Sequence, residues 1–355
     1  MPPSPFNWQR AEWPAFSFAR SALKDELAAF ARAFREAERA LREPEDPLFA
    51  ARALAAEAVT TSAIEGVEVD EAVVMSSICR ALGVPGAAPS AARDARSEGA
   101  ARMVLAVRED RAAPLSAALL RRWHGALMEG DDRGVRAGAF REVPVRVVSV
   151  DRFGQSETRF EAPPPERVPD EIARFVRRWR HRPSTPEGIA LKAVFLHPHF
   201  ESIHPFEDGN GRIGRALVAK VLAEGLGRPV ALPVSTFVSR HRRAYYDEIN
   251  VASHTLDWTS WAGFFVPVLT ELLESFEPDR EPIEPINDGI NDGINAALLR
   301  LVRNHPGRGV PFFLASVKTS RATVERAVRA LVRAGHIEHR GSRKTGGYFA
   351  KSPAS

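Results

Sequence analysis

The twelve residues His204-Pro205-Phe206-Glu207-Asp208-Gly209-Asn210-Gly211-Arg212-Ile213-Gly214-Arg215 constrain this chain more than any other stretch. They set Gly209 and Gly211 at the mouth of a helix expected over residues 211–226. Glycine lets the backbone turn sharply and come close to a ligand. The first N–H groups of a helix lack partners and share its positive dipole end, so such a turn receives an anion. Arg212 and Arg215 lie three apart on one helix face and can clamp phosphate oxygens. Asp208 is a hard oxygen ligand suited to Mg²⁺ or Mn²⁺, cations that bridge phosphates while keeping waters. Asn210 can donate and accept, toward the loop or toward a phosphate oxygen. His204 titrates near neutrality and can take a hydroxyl proton. Turn glycines and solvated arginines would explain each residue alone. Together, within twelve residues, they point to phosphoryl or nucleotidyl transfer.

The rest of the chain bounds that reading. Its 355 residues suit two or three domains. A hydrophobic share of 44% with 26% charged residues is the mix of a soluble globular protein with a sizeable core. No stretch approaches the roughly 18 apolar residues of a membrane helix, and Met1 to Pro5 lacks a signal pattern. Cys79 is the one cysteine, which excludes an internal disulfide and a cysteine zinc site. A cytoplasmic protein without membrane contact is expected. The ten histidines show no HExxH spacing. The net charge of +4 is uneven: residues 296–355 hold twelve Lys or Arg and two Glu, Glu325 and Glu338, a local +10 that leaves −6 elsewhere. Such polarity marks a nucleic-acid-binding module beside an acidic body.

Proline divides the chain. Residues 5–18 carry Phe6, Trp8, Trp13, Phe16 and Phe18 and read as an aromatic cap on the body. Helices are expected at 19–43, ended by Pro44, and at 47–64, ended by Gly66. Others are expected at 91–108, 114–129, 167–181, 187–201, 211–226, 240–252 and 257–276. Residues 143–150 alternate and are β-branched; with the turn at Phe153-Gly154 and Glu157 to Phe160 they predict a β-hairpin. Residues 277–294, with three prolines and a tandem Ile-Asn-Asp-Gly, read as a linker. Helices at 295–304, 311–317 and 320–334 and a short basic hairpin then follow the winged-helix order.

At this point the sequence resembles a known family. The pattern HPFxDGNGRxxR of the Fic (Fido) proteins is met at every fixed position, and the resemblance runs from about residue 115 to 270. It takes in Trp123-His124, Gly138-Ala139-Phe140-Arg141 and Phe160-Glu161-Ala162-Pro163-Pro164. The resemblance implies a mainly α fold: a helical Fic core over 111–276 with a β-hairpin flap, an N-terminal helical region over 1–110, a linker at 277–294 and a winged helix-turn-helix at 295–355. It implies transfer of AMP from ATP to a Ser, Thr or Tyr hydroxyl of a target protein, the chain itself included. His204 would be the base, Phe206 the loop's anchor and Asp208 the Mg²⁺ ligand. Gly209, Asn210 and Gly211 would form the anion hole, Ile213 and Gly214 would also belong to the ATP site, and Arg212 would hold the α- and β-phosphates and Arg215 the γ-phosphate. The hairpin would be a flap that aligns the target beside the phosphates, its residues Thr158, Arg159, Phe160 and Glu161 would contact ATP, and Tyr245 and Tyr246 would form the adenine pocket. Gly209, where relatives that include the Doc kinases have Ala, favours AMP transfer. The Asn or Gln that relatives carry seven or eight residues after the tyrosine pair is missing from Val251-Ala252-Ser253-His254.

Thr61-Ser62-Ala63-Ile64-Glu65-Gly66 fits the family's inhibitory motif [S/T]xxxE[G/N] at the end of the 47–66 helix. The resemblance implies that Glu65 takes Arg215 from the γ-phosphate, with Thr61 and Gly66 completing the motif. An arginine cannot serve a carboxylate and a phosphate at once. Two other readings stay open. One is removal of AMP, with Glu65 positioning a water. The other is a DNA-binding regulator in which Arg321, Arg326, Arg329 and Arg333 face nucleic acid and the Fic core is a sensor; a homodimer contact would account for the same face.

Overall fold

The computed structural model describes residues 6–41, 45–84, 94–150, 156–276, 298–299, 301–302, 306–316, 321–333, 336–340 and 347–350. The chain forms two compact units, residues 1–285 and 286–355. The first is helical around one continuous core. Its helices are α1 (Lys24–Ala40), α2 (Pro47–Ile64), α3 (Glu71–Ala81), α4 (Ala95–Glu109), α5 (Ala117–Met128), α6 (Val168–Trp179), α7 (Pro186–Ile203), α8 (Asn210–Leu226), α9 (Val234–Arg240), α10 (Arg242–Ala252) and α11 (Thr259–Glu274). A hairpin of β1 (Arg146–Val150) and β2 (Ser156–Glu161) interrupts the helices. Its pairing is antiparallel, Val147 opposite Phe160, with a shift in register between Val147 and Val148.

Local chemistry explains the elements that frame the site. Helix α2 starts where the Asp46 carboxylate accepts from the amides of Leu48 and Phe49, with Pro47 at the first helical position. It ends at Gly66, whose φ of +72° suits the left-handed stop. Between those ends α2 is rich in alanine, seven of eighteen residues, so its backbone packs closely against α3, α4 and α9. Helix α7 is capped by Thr185 and buried nearly throughout, and it pairs extensively with α8. Pro198 lies inside α7 and lacks the N–H that would close on Val194. The Trp261 indole N–H donates to that carbonyl instead, at 2.8 Å. The core joins Phe30 and Phe34 of α1, Ala51 and Ala58 of α2, Phe200 of α7 and Trp261 and Phe265 of α11. Residues 6–276 therefore pack as one body, with α2 part of it.

The second unit has α12 (Val310–Ser316), α13 (Arg321–Arg333) and an antiparallel pair, β3 (Ile337–Arg340) and β4 (Gly347–Ala350). Phe313, Val324, Val328, Leu331 and Ile337 fill its own core. The expected linker and most of the 295–304 helix lie outside the described residues, as do the side chains of Arg326 and Arg333.

Three expectations need adjustment. The helix expected over 19–43 is a 3₁₀ turn at Arg20–Leu23 followed by α1. Helices α3 and α9 are additional to those expected. The first strand begins at Arg146 rather than 143.

Candidate active site

Helix α7 ends at Ile203, and the chain turns on His204. This is the one non-glycine residue with positive φ, +49°, among the described residues. A bulky side chain adopts that conformation at a cost, so the surrounding structure must hold it there. It does. Phe206 is fully buried and stacks on the His124 ring at 4.0 Å and 3°. Asn210 closes the loop on itself: its Oδ1 accepts from the Phe206 amide and its Nδ2 donates to the Phe206 carbonyl, each at 2.9 Å. Burial lowers the His124 pKa to about 4, so its ring is neutral. Nδ1 accepts from the Gly138 amide at 3.0 Å, which leaves Nε2–H to donate to the Asp208 carbonyl at 3.2 Å. Gly209, with φ +82°, then starts α8. The amides of Asn210, Gly211 and Arg212 have no acceptor within the helix and form its N-terminal turn.

His204 is neutral for the same reason as His124. Burial lowers its pKa to about 4. Its Nδ1 lies 3.3 Å from the Glu201 carbonyl. Donation there places the proton on Nδ1 and leaves Nε2 with a lone pair. The backbone oxygen of His204 is held in turn by Arg141, whose Nε donates at 2.7 Å. The same guanidinium donates to Val143 O at 3.1 Å and Pro163 O at 2.6 Å, one on each side of the hairpin. Arg141, buried and central, thus ties His204 to both ends of the hairpin.

Arg215 is also fully buried. Its Nε donates to Thr61 Oγ1 and its Nη2 to Thr61 O, both at 3.0 Å, and Nη1 lies 3.5 Å from Tyr245 Oη. Nη2 lies 2.8 Å from Glu65 Oε1. Burial, the largest influence, works against the charge of Arg215, but Glu65 and Tyr245 together outweigh it and the pKa is raised. Glu65 rests on Gly211: a Cβ built at 211 would lie 2.1 Å from Glu65 Oε1. Arg242 Nη2 and Tyr246 Oη both donate to Ile64 O at 2.8 Å and hold the end of α2 in place.

A cavity of about 470 Å³ opens between these parts, within the usual range for ligand sites. Its walls include Glu65, His204, Gly211, Tyr245, Tyr246, Arg159 and Phe160, with Glu201, Asn250 and Ser253. Several expected contacts are placed otherwise. Thr158 and Glu161 do not line the cavity, and the Glu161 carboxylate meets Arg146 at 3.2 Å. Ile213 is fully buried. A Cβ on Gly214 would meet Glu201 Oε1 at 2.4 Å, so that glycine admits Glu201 rather than a ligand. The Asn210 amide is used within the loop. Asn250 and Ser253 face the cavity where the relatives' Asn or Gln was missed.

Asp208 Oδ2 is paired with Arg133 at 2.9 Å and Arg212 at 3.1 Å. Among the described residues no three His, Cys, Asp or Glu side chains converge into a metal cage. One partly exposed carboxylate fits the mode in which Mg²⁺ arrives on phosphates and takes one or two protein oxygens. Glu201 was invisible as a site residue in the sequence. Burial first, and Glu65 second, raise its pKa to about 8, and its Oε2 lies 3.8 Å from His204 Nδ1.

Comparison with known proteins gives concordant matches. Residues 114–222 match the family model described as Fic/DOC family, and residues 6–84 match a domain of unknown function, DUF4172. A Fido domain-containing protein of Dictyostelium discoideum is 35% identical over 97 residues, 25% of this chain and 67% of that protein. A probable protein adenylyltransferase of Aquifex aeolicus is 42% identical over 66 residues, 19% of this chain and 20% of that protein. The chain thus matches about a fifth of that adenylyltransferase's length. The crystal structure of a Fic family protein from Desulfovibrio desulfuricans has the same fold, with a TM-score of 0.60 and 20% identity over 96% of this chain and 99% of that one.

Proposed function

Because this chain belongs to the Fic/DOC family, we propose that it is a protein adenylyltransferase restrained by its own Glu65. The observation that carries the first part is the neutral, half-buried His204 that lines the cavity beside the N-terminal turn of α8. His204 Nε2 takes the proton from a Ser, Thr or Tyr hydroxyl as that oxygen attacks the α-phosphorus of ATP. The α-phosphorus–oxygen bond to the β-phosphate breaks, pyrophosphate leaves, and AMP remains on the target oxygen. Amides of Asn210, Gly211 and Arg212 meet the phosphate charge, where fixed donors act without reorganising. Asp208 would hold Mg²⁺, which when bound neutralises phosphate charge, and Arg212 is released from Asp208 toward the phosphates. Tyr246, Asn250 and Ser253 offer a wall for the base.

Arg215 is the natural partner for the γ-phosphate, but Glu65 occupies it at 2.8 Å. ATP entering this state binds with its α-phosphate out of line. Small errors of position are costly here, on the order of a hundredfold for about 1 Å. Exposed Arg321 and Arg329 on α13 support a nucleic-acid contact for the second unit, tested by DNA binding that weakens as salt rises.

Incubation with ATP labelled at the α- or the γ-phosphate tests the reaction. α-label on protein supports AMP transfer. γ-label on protein means a kinase; because Glu65 restrains wild type, the Glu65→Gly variant is assayed alongside, and neither label on protein in that variant removes both readings.

A further inference from the structure

The aromatic segment at the start of the chain holds a polar residue where a simple cap needs none. Asn7 is fully buried within a 3₁₀ turn, Asn7–Gln9. Its amide donates to Ser253 O at 2.7 Å. Its Nδ2 donates to Ala252 O at 2.9 Å and to Ser202 Oγ at 2.7 Å. Ser202 is two residues from His204, and Ala252 and Ser253 end α10, so Asn7 spans two walls of the cavity. Its neighbours reach a third. The Trp8 indole N–H donates to the Glu161 carbonyl, at the end of β2, at 2.7 Å. Phe6 packs edge-on against Phe160 at 5.3 Å, and the Phe160 ring lies 6.3 Å from that of His204.

A two-stranded hairpin is marginal alone. This one has a break in register and pairs with no third strand among the described residues. Arg141 and Trp8 hold its base by directed bonds. Burying an asparagine is unfavourable unless its donors are met. Asn7 meets them only on the walls of the site, which is placement rather than cover.

We propose that Phe6-Asn7-Trp8 is a brace: Trp8 sets the position of the flap at Glu161, and Asn7 sets the spacing between the ends of α7 and α10. The first residues of the domain of unknown function would then complete an active site whose chemistry lies some two hundred residues away. The consequence for catalysis rests on the AMP-transfer reading; the brace itself rests on the hydrogen bonds.

Trp8→Phe in the full chain keeps the ring and deletes the indole N–H. Backbone amide exchange over residues 158–161 should speed up about fivefold, as loss of one hydrogen bond allows. In a Glu65→Gly background, label taken up by the chain from α-labelled ATP should slow about tenfold, with KM for ATP within about twofold. Trp13→Phe deletes a comparable bond, to Glu171 at 3.0 Å away from the flap, and should leave exchange at 158–161 unchanged. Asn7→Ala should instead weaken binding of a fluorescent ATP analogue about tenfold; unchanged affinity in a folded Asn7→Ala protein removes the wall-spacing half. Flap exchange in Trp8→Phe equal to wild type overturns the brace, as does equal loosening by Trp13→Phe. If the Glu65→Gly chain takes up no label, the AMP-transfer reading falls, while the exchange data still decide the brace.

Discussion

Replacing Glu65 with glycine should release the enzyme, and the structure sets the scale. Glu65 Oε1 lies 2.8 Å from Arg215 Nη2, with the glutamate side chain 28% exposed and the arginine fully buried. At that distance, with an effective dielectric of about 20, the bare attraction is about 6 kcal/mol. Solvent at the exposed carboxylate reduces this, and a charge-assisted hydrogen bond is worth about 1.5–3 kcal/mol net. That is the cost a γ-phosphate meets in displacing Glu65, and at about 1.4 kcal/mol per decade it corresponds to roughly 10- to 150-fold. Glu65→Gly should therefore raise α-label incorporation at least about tenfold. It also leaves Arg215 buried without a counter-charge, kept only by Thr61 and Tyr245. The melting temperature of the free variant should fall, and Mg·ATP should raise it more than in wild type, because a ligand that binds only the folded state stabilises it. Glu65→Gln, which keeps shape and loses charge, should lie between. A Glu65→Gly protein no more active than wild type would refute the inhibitory role of residues 61–66.

Three further outcomes follow from other contacts. Arg242→Ala removes the donor to Ile64 O and should loosen the end of α2, raising α-label incorporation two- to tenfold; an unchanged rate would mean Tyr246 alone holds that turn. Arg141→Lys cannot reach His204, Val143 and Pro163 together, and should lower kcat about a hundredfold with KM for ATP little changed; a kcat near wild type would show that the three carbonyls need no common donor. Burial depresses His204, His124 and His197 to about 4, 4 and 3. Folded pKa values below the unfolded value of about 6.5 mean that the stability these histidines contribute is complete above pH 6.5 and is lost as pH falls toward 4. The acid limb of kcat/KM should lie near 4; a limb at 6.5 in the pH–rate profile would contradict a buried, neutral base.

Much of this was readable in sequence because glycine, proline and helix period speak locally. Residues 47–64 declared α2 through their alanine content and the Gly66 stop, while the Asp46 cap came to light only in the structure. Helix α3 did not declare itself: Val73, Val74, Ser76 and Ser77 give it no clear period, although Asp70 caps it. Helix α9 is a single short stretch after Pro233. The loop from His204 to Arg215 announced its chemistry, but not which of its residues hold the loop and which face outward. Asn210 turned inward because the two backbone groups of Phe206 needed partners. Gly214 met Glu201, a contact that depends on how α7 crosses α8. Apart from Val143, Arg141 and Asn7 matter through partners 22 to 245 positions away, which no local pattern encodes.

The central claim is that His204 is the base of AMP transfer, and one comparison tests it most directly. α-Labelled ATP is supplied to Glu65→Gly and to Glu65→Gly/His204→Ala at equal protein and Mg²⁺, with ATP binding measured alongside. Removing a proton acceptor removes a role made in the transition state and spares ground-state contacts. The account predicts that the double variant binds ATP within about twofold of its parent and transfers less than about a hundredth as much label. A folded double variant that transfers AMP at its parent's rate would contradict it.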